Sequence, residues 1–166
     1  DLFDVTPYID TNVMTHVENG LGAHLGVLWA LRVPMVIDTF TADLRTEYRR
    51  VSNDYVGPYF DTAYEIERHH VIVDGAGTSL PKLRALADMG DGPGRNGVYF
   101  DLLAGFPSFV FVGGSYVDYD GGIADGTLRL SLEVPALQFV EFGAFYYRVN
   151  MTGIEDAFAL DDRSAV

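Results

Sequence analysis

The residue types that could do acid–base or metal chemistry are few and scattered along this chain. His16 and His24 flank a turn at Asn19-Gly20, and pairing across a three-residue loop would set the two imidazoles opposite one another with Glu18 nearby. Two histidines begin a metal site without completing it, because such sites take three or four ligands and no ligand-spacing motif follows. A histidine on a polar strand face or turn is the plainer account of each, and His69-His70 fits a loop edge. Ser115 and Ser131 are the serines placed to face inward, but neither stands in a nucleophile elbow: Gly113-Gly114-Ser115-Tyr116-Val117 lacks the second flanking glycine. Gly90-Asp91-Gly92-Pro93-Gly94 lacks the lysine and the following helix of a phosphate loop. No acid, base and nucleophile assemble, so no catalytic residue and no cofactor is expected.

Charge is distributed by a different rule. In 39–49 the odd positions are Thr39, Thr41, Asp43, Arg45, Glu47 and Arg49, and the even positions are Phe40, Ala42, Leu44, Thr46 and Tyr48. A period of two predicts a strand with one charged and one apolar face. The stretch 55–68 repeats the pattern, and a three-residue loop at 52–54 would place Arg45 opposite Asp61, Phe40 opposite Ile66 and Ala42 opposite Tyr64. Extended along the chain, the charged faces gather Asp43, Arg45, Glu47, Arg49, Asp61, Glu65, Arg129, Glu133 and Glu141. The opposite faces gather Phe40, Ala42, Leu44, Tyr48, Phe60, Tyr64, Ile66, Leu128, Leu130 and Leu132.

Eight alternating stretches must position these residues: 3–18, 21–32, 39–49, 55–68, 98–106, 109–119, 127–134 and 139–151. Tight connections are expected near Asn19, Ser52, Pro107 and Pro135, with longer ones between. The segment 74–97 reads as a long loop carrying one helical fragment over 79–89, with Ser79 as its cap. The strands therefore fill 1–151 as one domain, and 152–166 reads as a tail.

Composition narrows the function classes. With 24 acidic against 11 basic residues the formal net charge is −13, which argues against nucleic acid and against docking on an anionic lipid surface. The absence of cysteine removes disulfides, thiolate metal sites and cysteine nucleophiles. No window supplies the roughly 20 apolar residues of a spanning helix; the nearest, 20–37, contains His24, Arg32 and Pro34. The chain opens on Asp1 without an initiator methionine or signal peptide, as expected of a processed or excised piece.

Dyad alternation over most of the chain, with short turns alternating with longer loops, resembles bacterial outer-membrane β-barrel proteins as an architectural class. The resemblance implies an antiparallel up-and-down barrel with about eight strands in this chain, transmembrane and part of a larger barrel. It implies a structural element, an anchor or a narrow, porin-like, cation-favouring pore in the outer membrane of a Gram-negative cell. Its partners would be the lipid bilayer and, through the 74–97 loop, other outer-membrane or surface proteins. Two features depart from the class: the chain ends in Ser164-Ala165-Val166 instead of a terminal aromatic, and tight turns at Asn19 and Ser52 would start the first strand on the outside. Alternation fixes two faces without fixing which one meets solvent. The alternatives are a secreted or periplasmic lipocalin-like barrel with an apolar ligand inside, and an outer-membrane enzyme acting on lipid.

Overall fold

The computed structural model describes residues 1–14, 20–52, 55, 71–72, 79–80, 93–120, 126–137, 140–151, 153–161 and 164–165. These residues are all-β apart from one 3-10 turn, Ile154–Asp156. The strands are β1 (Phe3–Met14), β2 (Gly20–Pro34), β3 (Thr39–Val51), β4 (Val71–Ile72), β5 (Ser79–Leu80), β6 (Arg95–Phe106), β7 (Val110–Tyr119), β8 (Gly126–Leu137), β9 (Val140–Met151) and β10 (Ser164–Ala165). Eight of them form one antiparallel sheet in the order β1-β2-β3-β6-β7-β8-β9-β10, and β4 pairs with β5 separately.

The number eight agrees with expectation, but the membership does not. β3 lies between β2 and β6, so its second neighbour is Arg95–Phe106 in place of the expected 55–68. The stretch 56–68 and the Arg45–Asp61 pairing lie outside the described residues. The eighth strand is β10, in the tail, held to β9 by Ser164↔Arg148 and Ala165↔Tyr147. Among the described residues no ladder joins β1 to β10, so the sheet is open and does not close into the expected barrel. Closure needs a full-length strand against each edge, and β10 supplies two residues. Ser79, expected at the start of a helical fragment, lies with Leu80 in β5, where it pairs with Ile72, while 81–89 lie outside the described residues.

Strand bounds relocate the turns. Residues 35–38, 107–109 and 138–139 make the short connections, and all three fall at the end of the sheet where β1 begins. Residues 15–19, 52–94 and 120–125 connect strands at the other end, so Ser52 opens a long connection and not a tight turn. Pro135 lies inside β8, where a register shift between Val134 and Leu137 accommodates a residue that cannot donate to the ladder. β6 begins three residues before the expected Val98, which takes Arg95, Asn96 and Gly97 out of the loop 74–97.

Contacts divide the chain into two compact units. One comprises Asp1–Asp10, His24–Arg49 and Asn96–Val166 and holds the features described below. The other comprises Thr11–Ala23 and Arg50–Arg95; within it Ser52 N–H donates to the Leu21 carbonyl at 2.8 Å, and the Tyr55 ring lies against Gly22.

In the first unit register keeps the two faces separate. The partners Leu102↔Gly114, Gly114↔Leu130 and Leu130↔Tyr146 share parity, as do Asp101↔Ser115, Ser115↔Arg129 and Arg129↔Tyr147. Outside the register shift after Val134, the even positions 98–134 and 142–148 along these ladders therefore stand on one face, the mainly apolar one, and the odd positions on the charged one. The apolar face carries rows such as Phe106↔Val110 and Val134↔Phe142 near the short turns. Leu102 and Leu130 lie midway, and Phe100↔Tyr116 and Tyr116↔Leu128 lie farther on.

Candidate functional site

Among the described residues, the densest set of charged side chains on the charged face is built from four strands. Alternation on β3 sends Arg45, Glu47 and Arg49 to one side, and β1, β2 and β6 add Tyr8, His24 and Tyr99. Glu47 is the centre, with its side chain fully buried. Its Oε1 accepts from the Tyr8 hydroxyl and from Arg45 Nε at 2.6 Å, and its Oε2 accepts from Arg49 Nε at 2.6 Å. Arg45 Nε also donates to the Tyr8 oxygen at 2.6 Å. A buried carboxylate is tolerable only when its lone pairs are filled by charged or strongly polar donors, and here both oxygens are.

Aromatic rings complete the shell. The Arg49 guanidinium lies 4.0 Å from the Tyr99 ring centre, and that of Arg45 lies 5.5 Å from the same ring and 5.4 Å from Tyr8. These are cation–π distances, and they let each arginine use its faces as well as its N–H groups. The Tyr8 ring lies across Gly26, where a Cβ would sit closer to it than real Cβ contacts allow; the Tyr119 ring lies across its ladder partner Gly97 in the same way. Beside the cluster, buried His24 places Nδ1 3.5 Å from Asp10 Oδ2.

Of the residues expected on the charged face, the structure thus brings together Arg45, Glu47 and Arg49. Asp43 pairs instead with Arg32 at 2.7 Å, a bridge about half exposed at both ends. Arg129 stands across from Ser115 and Tyr147, Glu133 across from Phe111 and Gly143, and both are exposed, as is Glu141. Asp61, Glu65 and His16 lie outside the described residues, and among the described residues no three His, Cys, Asp or Glu side chains are grouped to hold a metal. Tyr8, Tyr99 and Tyr119 were not singled out by sequence reasoning. Their period-two phase was the available signal, since Tyr8 shares its face with Asp10.

On the other face Tyr48 is exposed and donates to Asn96 Oδ1 at 2.6 Å, and Phe40 meets Phe106 edge-on at 5.4 Å. Ala42, Leu44, Leu130 and Leu132 are half-buried, and Phe60, Tyr64 and Ile66 lie outside the described residues. Leu128 departs from the expected exposed wall: it is buried in a small core with Met151 and Ala157, flanked by Tyr116, Leu130 and Tyr146. The cover is the segment 153–161, held by a second charged site. Arg148, fully buried, donates from Nη2 to Asp156 at 2.6 Å and from Nη1 to Asp161 at 3.0 Å and to the Ala159 carbonyl. The Tyr146 hydroxyl donates to the Ala157 carbonyl at 2.8 Å, and its ring stacks on Phe158 at 6.3 Å.

The first site cross-links β1 and β3 and the second ties β9 to the segment 153–161, each by ion pairs and hydrogen bonds, and neither presents a nucleophile beside a base. Comparison of the chain with family models, with curated proteins and with solved structures returns no match.

Proposed function

We propose that this sheet is part of the wall of an outer-membrane β-barrel, with the bilayer as its partner and a structural or anchoring role. The observation that carries the reading is a local inversion of the usual burial at the Glu47 cluster, although Leu103 and Phe145 are also exposed on the charged face. Glu47 and Arg49 are buried on one face, while Leu102, Phe100, Val112 and Phe142 stand exposed on the other, as do Phe3, Val5, Ile9, Leu25 and Trp29 on β1 and β2. A water-soluble sheet hides its apolar face, whereas a barrel wall in lipid displays it and turns charge inward.

Dimensions agree. Apolar positions on β6 run over 98–106, close to the roughly 9–11 residues of a tilted spanning strand. Phenylalanines 40, 106 and 142 sit toward one end of this band, and tyrosines 48 and 116 toward the other, as in aromatic girdles. Short turns at one end of the sheet and longer connections at the other match the periplasmic and outer sides of such barrels. The charges of the central cluster are bonded to one another, which favours a structural wall over a conducting pore.

Extraction and one substitution test this reading. The protein should leave membranes only with detergent, and Leu102→Arg, midway along the band, should destabilise the reconstituted protein by about 2–4 kcal/mol. In a water-soluble sheet an exposed leucine tolerates arginine within about 0.5 kcal/mol. Clean solubility without detergent, or a neutral Leu102→Arg, overturns the proposal.

A further inference from the structure

We infer that the segment 153–161 is an interfacial anchor, a strap that presents Ile154, Phe158 and Leu160 to the polar–apolar boundary of a lipid bilayer. The inference rests on the barrel-wall reading and adds a site to it. Three observations carry it. First, the strap is tied down by charge: Asp156, largely buried, and Asp161, still 35% exposed, both bind Arg148, which has no exposed surface. Second, two of its backbone carbonyls are occupied, Ala157 by the Tyr146 hydroxyl and Ala159 by Arg148, which lowers the cost of leaving bulk water. Third, its large apolar side chains are largely exposed, Ile154, Phe158 and Leu160 at 64%, 73% and 77%, even where Phe158 stacks on Tyr146.

A loop on a water-soluble surface would set phenylalanine and leucine against the core beneath. Position supports the same partner. The strap covers the rows of Leu128 and Tyr146, at the end of the apolar band where Tyr116 lies, and Phe158 extends that aromatic row by stacking on Tyr146. Aromatic side chains concentrate at that depth because their rings favour the headgroup level. The strap thus replaces the apolar surface it covers with apolar surface of its own, and exposed Glu155 marks its watery margin.

Trp29 is the single tryptophan, so fluorescence can address wall and strap separately. The full chain would be reconstituted in phosphatidylcholine vesicles carrying bromine either high on the acyl chains or near their ends. A Trp29→Phe, Phe158→Trp double variant should lose most of its emission to the high bromines and less to the deep ones. Trp29→Phe with Leu160→Trp repeats the measurement at a second exposed position. If both reporters ignore bromine while Trp29 of the unaltered chain is quenched, the wall reading survives and the anchor is overturned. Quenched reporters with an unquenched Trp29 sustain a lipid-binding strap and overturn the wall. Reporters that shift to the blue only as protein concentration rises, without quenching, mark a second copy as the occupant and overturn the anchor.

Discussion

Glu47 shows how one buried carboxylate can organise a face. It ties β1, through Tyr8, to β3, and removing it leaves Arg45 and Arg49 facing each other without their shared counter-charge. Breaking a buried pair from one side costs more than replacing the pair, because the remaining charge is stranded. Glu47→Ala should therefore destabilise by about 3 kcal/mol, the lower end of the range for buried pairs, since Arg45 keeps 38% of its side chain in solvent. Glu47→Leu combined with Arg49→Met should cost less than Glu47→Ala alone. Urea midpoints in detergent micelles measure both, and a double variant worse than the single one would contradict the stranded-charge account. Alternation alone put Arg45, Glu47 and Arg49 on one face, because that needs only period two. It gives no sign of Tyr8 beside Arg45, because a partner 37 positions away is set by strand order and leaves no local trace.

The strands themselves were legible wherever apolar and polar residues alternate cleanly, as in β2, β3, β7 and β9. Their ends were less so: Pro135 resembles a stop signal yet sits within β8, and β10 is too short to show a period. Turns are tied to one another by contacts that only the fold creates. The Asp38 carboxylate accepts from Ser108 N–H at 2.9 Å and from Thr39 N–H at 2.7 Å, joining the turn at 35–38 to the turn at 107–109. Those backbone donors, Ser108 foremost, hold its pKa below the ordinary carboxylate value. A depressed folded-state pKa means the clamp contributes fully above the unfolded value of about 3.9 and is lost as pH falls through the lower folded value. Asp38→Asn should thus reduce stability at neutral pH and flatten its decline between about pH 4 and pH 2. Chemical denaturation across that range checks this, and an unchanged acid limb would mean that the carboxylate does not join the turns.

At the scale of the molecule, a net charge of −13 coexists with an apolar sheet face, and the two are compatible if water and lipid meet different faces. The excess acid does not concentrate at the central cluster, where two arginines surround one glutamate. Reconstituted in a planar bilayer, the protein should therefore give no sustained conductance, and steady current steps would replace the structural wall with a pore. What the sequence could not convey was whole-chain topology, because residues 52–94 intervene between β3 and β6 and alternation carries no information about which strands meet. The irregularity at the end of β9 has a consequence of its own. Gly126 pairs with Met151 while Leu128 pairs with Arg148, so β9 holds one residue more than β8 there, and Asn150 takes up the slack at φ 53. The surplus residue shifts the phase of the strand, which is why Met151, an odd position, shares a core with Leu128. Removing one residue elsewhere in β9 would exchange its two faces up to the next correction. Deleting Asn150 would instead restore even spacing with every side chain still on its own side, making it the one point in β9 where the chain can be shortened by a single residue without turning the strand over.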